Sequence, residues 1–164
     1  MKTKSLLTNT QIGAVGEVTV AAQLMLLSEG RLTPFLPLAD DDGIDLIVFD
    51  KISGKSLPIQ VKARTLKTLR KPYTIQFDVR RKTYNDRDGA FVIGILLNTV
   101  SGSIEKGWLV SMSDLPNVAN TKKDKFIMVP SVKDTSNDRY TPYRCPDMGE
   151  VVKRLIAYLD SIEA

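Results

Sequence analysis

The sequence predicts a single α/β domain, and three observations carry that reading. A long apolar helix opens the chain and an amphipathic helix closes it, with strand-like runs between them. One of those runs, Ala90 to Leu97, is uniformly apolar, as expected for a central strand covered on both faces. No repeat, low-complexity tract or linker interrupts the 164 residues, a length that supports one proper core.

Residues 10 to 29 read as the first helix. Thr8 with Gln11 fits a capping box and Gly30 supplies the stop. Val15, Val18, Val20, Leu24, Met25, Leu26 and Leu27 surround its axis, so much of the circumference is expected to be buried. Glu17 is the only charge between Gln11 and Ser28, and helical spacing sets it beside Gly13, Val20, Ala21 and Leu24. Arg31 to Leu38 contains two prolines and reads as an irregular edge strand. Asp40-Asp41-Asp42-Gly43 is a turn. An EF-hand loop with Gly43 at its sixth position would need acids where Leu38 and Phe49 stand, so that assignment fails.

Gly43 to Val48 and Leu57 to Arg64 are two strands joined by a hairpin connection, Asp50 to Lys55. Side chains alternate between faces in a strand. Gln60, Lys62 and Arg64 therefore share one face, and Ile59, Val61 and Ala63 the other, while Asp45 lies with Ile47 and Phe49. An acid, an amide and an ammonium inside apolar strands are costly unless they meet one another, a metal or a phosphate.

Farther along, Lys67 to Pro72 is a basic loop and Tyr73 to Val79 alternates cleanly, a strand with one wet face. Arg80 to Gly89 is a short helix or loop, and Trp108 to Val110 and Phe126 to Val129 are short strands, with Trp108 in the core. Residues 117 to 125 read as a polar loop and 131 to 146 as a long irregular one. Met148, Val151, Val152, Leu155, Ile156, Leu159 and Ile162 mark a closing helix, expected to pack on the sheet or on a second subunit.

The chain has no histidine, which excludes His-based triads, imidazole acid–base catalysis and His-ligated zinc. Any metal must then be held by oxygen, which points to magnesium or manganese. Cys145 is the one cysteine, with no His or Cys beside it, so neither a disulfide framework nor a thiol nucleophile is expected. The first residues are basic but too briefly apolar for a signal peptide, and no run reads as a bilayer span, so a cytoplasmic protein without membrane contact is expected. The net charge of +4 is unevenly spread: residues 51 to 82 hold ten Lys and Arg against the single acid Asp78. Such a stretch attracts polyanions.

The order of helix, edge strand, strand with Asp and strand with Gln-x-Lys resembles the PD-(D/E)xK nuclease superfamily, in its archaeal Holliday-junction-resolvase-like branch. The resemblance rests on Gly16-Glu17, Gly43-Ile44-Asp45-Leu46-Ile47-Val48 and Ile59-Gln60-Val61-Lys62-Ala63-Arg64. It covers the first 65 or so residues closely and the rest in general organisation. It implies a restriction-endonuclease-like three-layer core, a central mixed β-sheet flanked by helices in αβββαβ order. By carry-over, Asp45, Gln60 and Glu17 would hold Mg2+ or Mn2+, and Lys62 would contact the scissile phosphate. No Pro precedes Asp45, and Gln60 stands where an acid is usual, so its amide oxygen would ligate a cation without adding charge.

The function implied is metal-dependent DNA endonuclease activity on double-stranded or branched DNA. Arg64, Lys67, Arg70, Lys71, Arg80, Arg81 and Lys82 are the candidate DNA contacts. Nucleases of this kind often pair subunits to cut two strands, which is compatible with a homodimer. Two other readings stand beside it: a nucleic-acid-binding module of the same fold without chemistry, and a protein-interaction subunit docking through the closing helix.

Overall fold

A computed structural model of the chain describes residues 6–39, 42–69, 73–84 and 89–162. Helix α1 (Asn9–Leu27) begins as expected. The Thr8 hydroxyl accepts the Gln11 N–H at 3.1 Å, and the Thr8 N–H donates to the Gln11 side chain at 2.9 Å. It ends at Gly30, whose φ of +81° turns the chain while its N–H returns to the Met25 carbonyl. Then come β1 (Leu32–Phe35), β2 (Leu46–Asp50), β3 (Ser56–Thr65), β4 (Phe77–Arg80), β5 (Phe91–Leu97) and β6 (Ile104–Ser111). They are followed by the single turn α2 (Leu115–Val118), β7 (Asn120–Lys122), β8 (Lys125–Met128), β9 (Arg144–Cys145) and α3 (Met148–Ser161).

The strands form two sheets where one central sheet was expected. The larger is mixed and runs β1-β2-β3-β5-β6-β9, with β3 and β5 parallel and the other neighbours antiparallel. The smaller is antiparallel, β4-β8-β7. Both α1 and α3 pack on one face of the large sheet, around Val20, Leu24, Ile59, Val61, Ile93 and Leu155. The small sheet covers the other face, around Phe77, Val79, Val92, Trp108 and Phe126. β5 lies between these two cores and is buried at every position, as its unbroken apolar run requires.

Two close approaches set the layers. A Cβ on Gly16 would lie 2.5 Å from that of Ala63, so α1 rests with its backbone almost on β3. On the opposite face a Cβ on Gly94 would lie 2.8 Å from the Phe77 ring, so β4 is drawn down onto β5.

Several expectations are corrected. Val18 is 58% and Leu26 74% exposed, and only Gly16, Val20, Ala21 and Leu24 of α1 are buried, so its outward face is apolar and open. With Glu17 as its one charge, α1 also has the length and hydropathy of a bilayer span, although its inner face closes the core. The strand expected from Tyr73 shortens to Phe77–Arg80, because Tyr73 has φ +69° and Thr74 makes only an isolated bridge to Ser131. The polar loop at 117–125 includes the end of α2 and all of β7; β7 is exposed throughout, so no apolar alternation betrays it. The irregular stretch at 131–146 includes β9, which adds to the large sheet beside Gly107 and Trp108. Among the described residues, the crossover from β3 to β5 carries β4 and two 3-10 turns. The apolar stripe of α3 is spent on the core, with Met148, Val151, Val152, Leu155 and Leu159 buried, so it is not a docking face. Asp40 and Asp41 lie outside the described residues.

Candidate active-site cleft

The β2–β3 hairpin builds the floor of the site. Leu46 pairs with Ile59, so Asp45, one residue earlier, stands opposite Gln60. Leu46, Ile59, Val61 and Ala63 point into the helical core, which turns Gln60, Lys62 and Arg64 to the other face. That face meets β4 and the end of β8. The result is a cleft of about 590 Å³ lined by Asp45, Gln60, Lys62 and Arg64 from the hairpin and by Asp78, Arg80 and Lys125 from the small sheet. Gly43, Thr83 and Asp124 complete its wall.

Each floor residue is held. The Asp45 carboxylate accepts the Val61 N–H at 2.6 Å, and the Asp45 N–H donates to the Ile59 carbonyl at 2.9 Å. Gln60 is 3% exposed and donates its amide to the Gly43 carbonyl at 2.8 Å. The reverse orientation would set two oxygens against each other, so the bond fixes which end is which. The Gln60 Oε1 is then buried without a hydrogen-bond partner. Gly43 permits this contact: its φ is +66°, and a Cβ there would come within 2.4 Å of the Thr83 side chain and 2.6 Å of the Gln60 amide nitrogen. Arg64 donates to the carbonyls of Gln76 at 2.9 Å and Ala63 at 3.0 Å, which pins its guanidinium along the cleft wall.

Opposite the floor, Asp78 accepts from Lys125 at 2.9 Å and from Gln76 at 2.7 Å. Burial pushes its carboxyl up, but these two donors and the nearby Arg64 outweigh that and hold it below the ordinary range. The cleft thus mixes acids with cations, with Asp45, Asp78 and Asp124 against Lys62, Arg64, Arg80 and Lys125. A site of that composition suits a phosphate with a counter-cation better than either alone.

The donor set fits a hard divalent cation. An orphaned buried carbonyl oxygen on Gln60 stands across the hairpin from the Asp45 carboxylate, and both are oxygen ligands. Among the described residues, no three Asp, Glu or Cys side chains gather closely enough to hold a metal. Any ion there would keep much of its shell as water or phosphate oxygen, as magnesium usually does.

Of the residues singled out from the sequence, Asp45, Gln60, Lys62, Arg64 and Arg80 come together in the cleft. Glu17 does not line it; it is half-buried on α1, the helix that packs against the core face of β3. Arg81, Lys82 and Lys67 are exposed outside the cleft, the first two directly after Arg80. Arg70 and Lys71 lie outside the described residues. Cys145 is buried, and burial pushes its thiol up to about 11, which removes it as a nucleophile.

Sequence reasoning missed Asp78, Thr83, Asp124 and Lys125. The alternation over 73–79 already placed Asp78 on the face away from Ile75, Phe77 and Val79. The pairing of β4 with β8, which brings Lys125 to it, is a long-range contact with no local signal.

No protein-family model matches the sequence, and no curated protein matches it. Among solved structures, a bacterial homing endonuclease superposes with a TM-score of 0.60 at 16% identity, over 94% of this chain and 98% of that one. The Holliday junction resolvase of the archaeal hyperthermophile Archaeoglobus fulgidus superposes with a TM-score of 0.48 at 12% identity, over 84% of this chain and 95% of that one. A mixed sheet with a polar β-hairpin at one side, helices packed behind it and this whole-chain likeness lead to one conclusion: the chain has the restriction-endonuclease-like fold, the architecture of the PD-(D/E)xK nucleases.

Proposed function

We propose that the protein is a metal-dependent DNA endonuclease, a Gln-x-Lys variant of the PD-(D/E)xK site. One observation supports this reading: Asp45, Gln60 and Lys62 line one cleft on one side of the hairpin, and the Gln60 Oε1 is buried there without a hydrogen-bond partner. The fold it shares with a bacterial homing endonuclease supports a DNA substrate.

Asp45 and Gln60 would hold Mg2+ or Mn2+. The chemistry such an ion would supply is Lewis-acid polarisation of the phosphate and activation of water near neutral pH, in a protein with no histidine. The chain's own part is preorganisation. Val61 fixes the Asp45 carboxylate and Gly43 fixes the Gln60 amide, so neither must reorient when substrate arrives. Lys62 brings an ammonium to the same face, where charge grows on the phosphoryl oxygens. Arg64 and Arg80 continue the cationic track along the cleft for the flanking phosphates. Glu17 lies outside the cleft lining, so the ion is assigned to Asp45 and Gln60.

Pairing of two copies belongs to the same proposal, supported by the open apolar face of α1 that carries Val15, Val18, Met25 and Leu26. Light scattering that reports only a monomer at tens of micromolar would remove that part.

The test is cleavage of supercoiled, linear and branched DNA with Mg2+ or Mn2+, by the parent, Asp45→Asn and Lys62→Ala. The parent cuts at least one substrate, chelator abolishes cutting, and both variants lose it while still binding DNA. Binding that weakens steeply with salt but never leads to cutting would instead favour the module without chemistry.

A further inference from the structure

Thr83 lines the cleft without a charge of its own. It closes the 3-10 turn Arg81–Thr83, which follows β4 directly. That turn is held from several sides. The Arg81 N–H donates to the Asp124 carbonyl at 2.8 Å, the Tyr84 N–H to the Arg81 carbonyl at 3.2 Å, and the Tyr84 hydroxyl to the Met112 carbonyl at 3.1 Å. The Tyr84 ring packs edge-on to Phe126 at 5.0 Å, which anchors the turn on the second core.

Thr83 touches both partners of the buried Gln60–Gly43 bond. A Cβ on Gly43 would lie 2.4 Å from the Thr83 Cβ, so Thr83 closes over the residue whose carbonyl receives the Gln60 amide at 2.8 Å. The Thr83 Oγ1 itself stands 3.5 Å from the same Gln60 nitrogen. A hydroxyl has one proton to give, and that of Thr83 goes to the Arg80 carbonyl at 3.2 Å. Oγ1 therefore faces Gln60 as an acceptor, and an acceptor there admits only the NH2 end of the amide. The Gly43 carbonyl alone decides which end of the amide is which. It does not fix the amide plane, because the last torsion of a Gln side chain has a broad minimum. A second acceptor on the other N–H does fix it, and with it the direction of the buried, unpartnered Oε1.

We propose that Thr83 is a positioning residue, whose hydroxyl holds the Gln60 amide so that Oε1 meets a divalent cation bound at Asp45. This rests on the reading of Asp45 and Gln60 as the cation ligands. Thr83 acts through Gln60, and its acceptor oxygen is what matters. A residue that only filled the wall would be replaceable by valine, which has nearly the same shape and no acceptor.

The test uses the full chain without DNA, and Mn2+ is the probe. Calorimetry gives the Mn2+ affinity. The side-chain amide signals of protein isotopically labelled at glutamine, recorded without metal, report the bonds made by Gln60. Thr83→Val binds Mn2+ about three- to tenfold more weakly than the parent, the effect of losing one hydrogen bond. One Gln60 amide proton moves upfield, while the proton bonded to Gly43 keeps its position. Thr83→Ser retains the hydroxyl and restores both readouts, which separates the bond from the packing of the methyl group. Thr83→Val with the Mn2+ affinity of the parent, or with both Gln60 protons unmoved, overturns the proposal and leaves the cation reading intact. Thr83→Ser that behaves like Thr83→Val overturns it as well. A parent that binds no Mn2+ overturns the cation reading itself, and the Gln60 signals then still show whether Thr83 holds the amide.

Discussion

Gln60→Glu tests the chemistry of the hairpin most sharply, because it restores the usual acid and breaks a local bond in one step. In the parent the Gln60 amide donates to the Gly43 carbonyl at 2.8 Å in a position only 3% exposed. A carboxylate there donates nothing and sets an oxygen against that carbonyl. Leaving buried polar groups unsatisfied costs about 1–3 kcal/mol. For a domain of this size each kcal/mol shifts the melting temperature by about 2–4 °C, so in chelator the variant melts about 2–12 °C below the parent. The same change adds a formal charge beside Asp45, so Mn2+ binds the variant more tightly and recovers more stability than it gives the parent. Saturation at a hundred times the dissociation constant contributes about 2.7 kcal/mol. Gln60→Leu is the comparison, since it loses the bond and offers no oxygen. It melts low in chelator and gains little from Mn2+. Thermal denaturation with chelator and across a Mn2+ titration reads all three. If Gln60→Leu and the parent rise equally with Mn2+, or if Gln60→Glu is not destabilised in chelator, the assignment of the Gln60 oxygen is wrong.

Two further predictions concern the frame around the site. Gly16→Leu drives a side chain into Ala63, where even a Cβ would lie at 2.5 Å, so α1 must lift from β3. A loss of about 1–3 kcal/mol in urea unfolding is expected, and an unchanged midpoint would show that α1 does not rest on β3 in this way. Asp50 is fully buried and takes a two-pronged contact from Arg31 at 2.9 and 3.0 Å, while Arg31 also reaches Asp160 of α3 at 2.6 Å. The Arg31 guanidinium holds the Asp50 carboxyl well below the usual carboxylate range. Its stabilising contribution is therefore complete above the unfolded pKa, about 3.9, and is lost as pH falls from there toward the depressed folded value. Asp50→Asn costs about 3 kcal/mol at pH 7 and flattens the stability–pH curve between about pH 4 and 2. Parallel curves for parent and variant across that interval would contradict this.

What could be read from the sequence was what is local. The capping box at Thr8, the stop at Gly30, the alternation that turns Gln60 and Lys62 away from Ile59 and Val61, and the buried run of β5 all depend on neighbours a few residues apart. What failed depended on distance. α1 was expected to be buried over much of its circumference because apolar residues surround its axis, yet among the described residues only one side of it is buried. β7 was missed because a strand exposed on both faces carries no period. The second wall of the cleft was missed because Asp78 and Lys125, 47 positions apart, meet only when β4 pairs with β8. Glu17, expected from the motif order to join the metal site, does not line the cleft. The helix that carries it packs by Gly16 onto the core face of β3, opposite the face that opens to the cleft.

The most direct measurement is a crystal grown or soaked with Mn2+ and examined by anomalous scattering. A peak between the Asp45 carboxylate and the Gln60 Oε1, with the Gln60 amide still donating to Gly43, is the result expected. A Mn2+ ion bound elsewhere in the cleft, or Gln60 turned to present its nitrogen, would contradict a metal-loaded hairpin as the centre of this protein's chemistry.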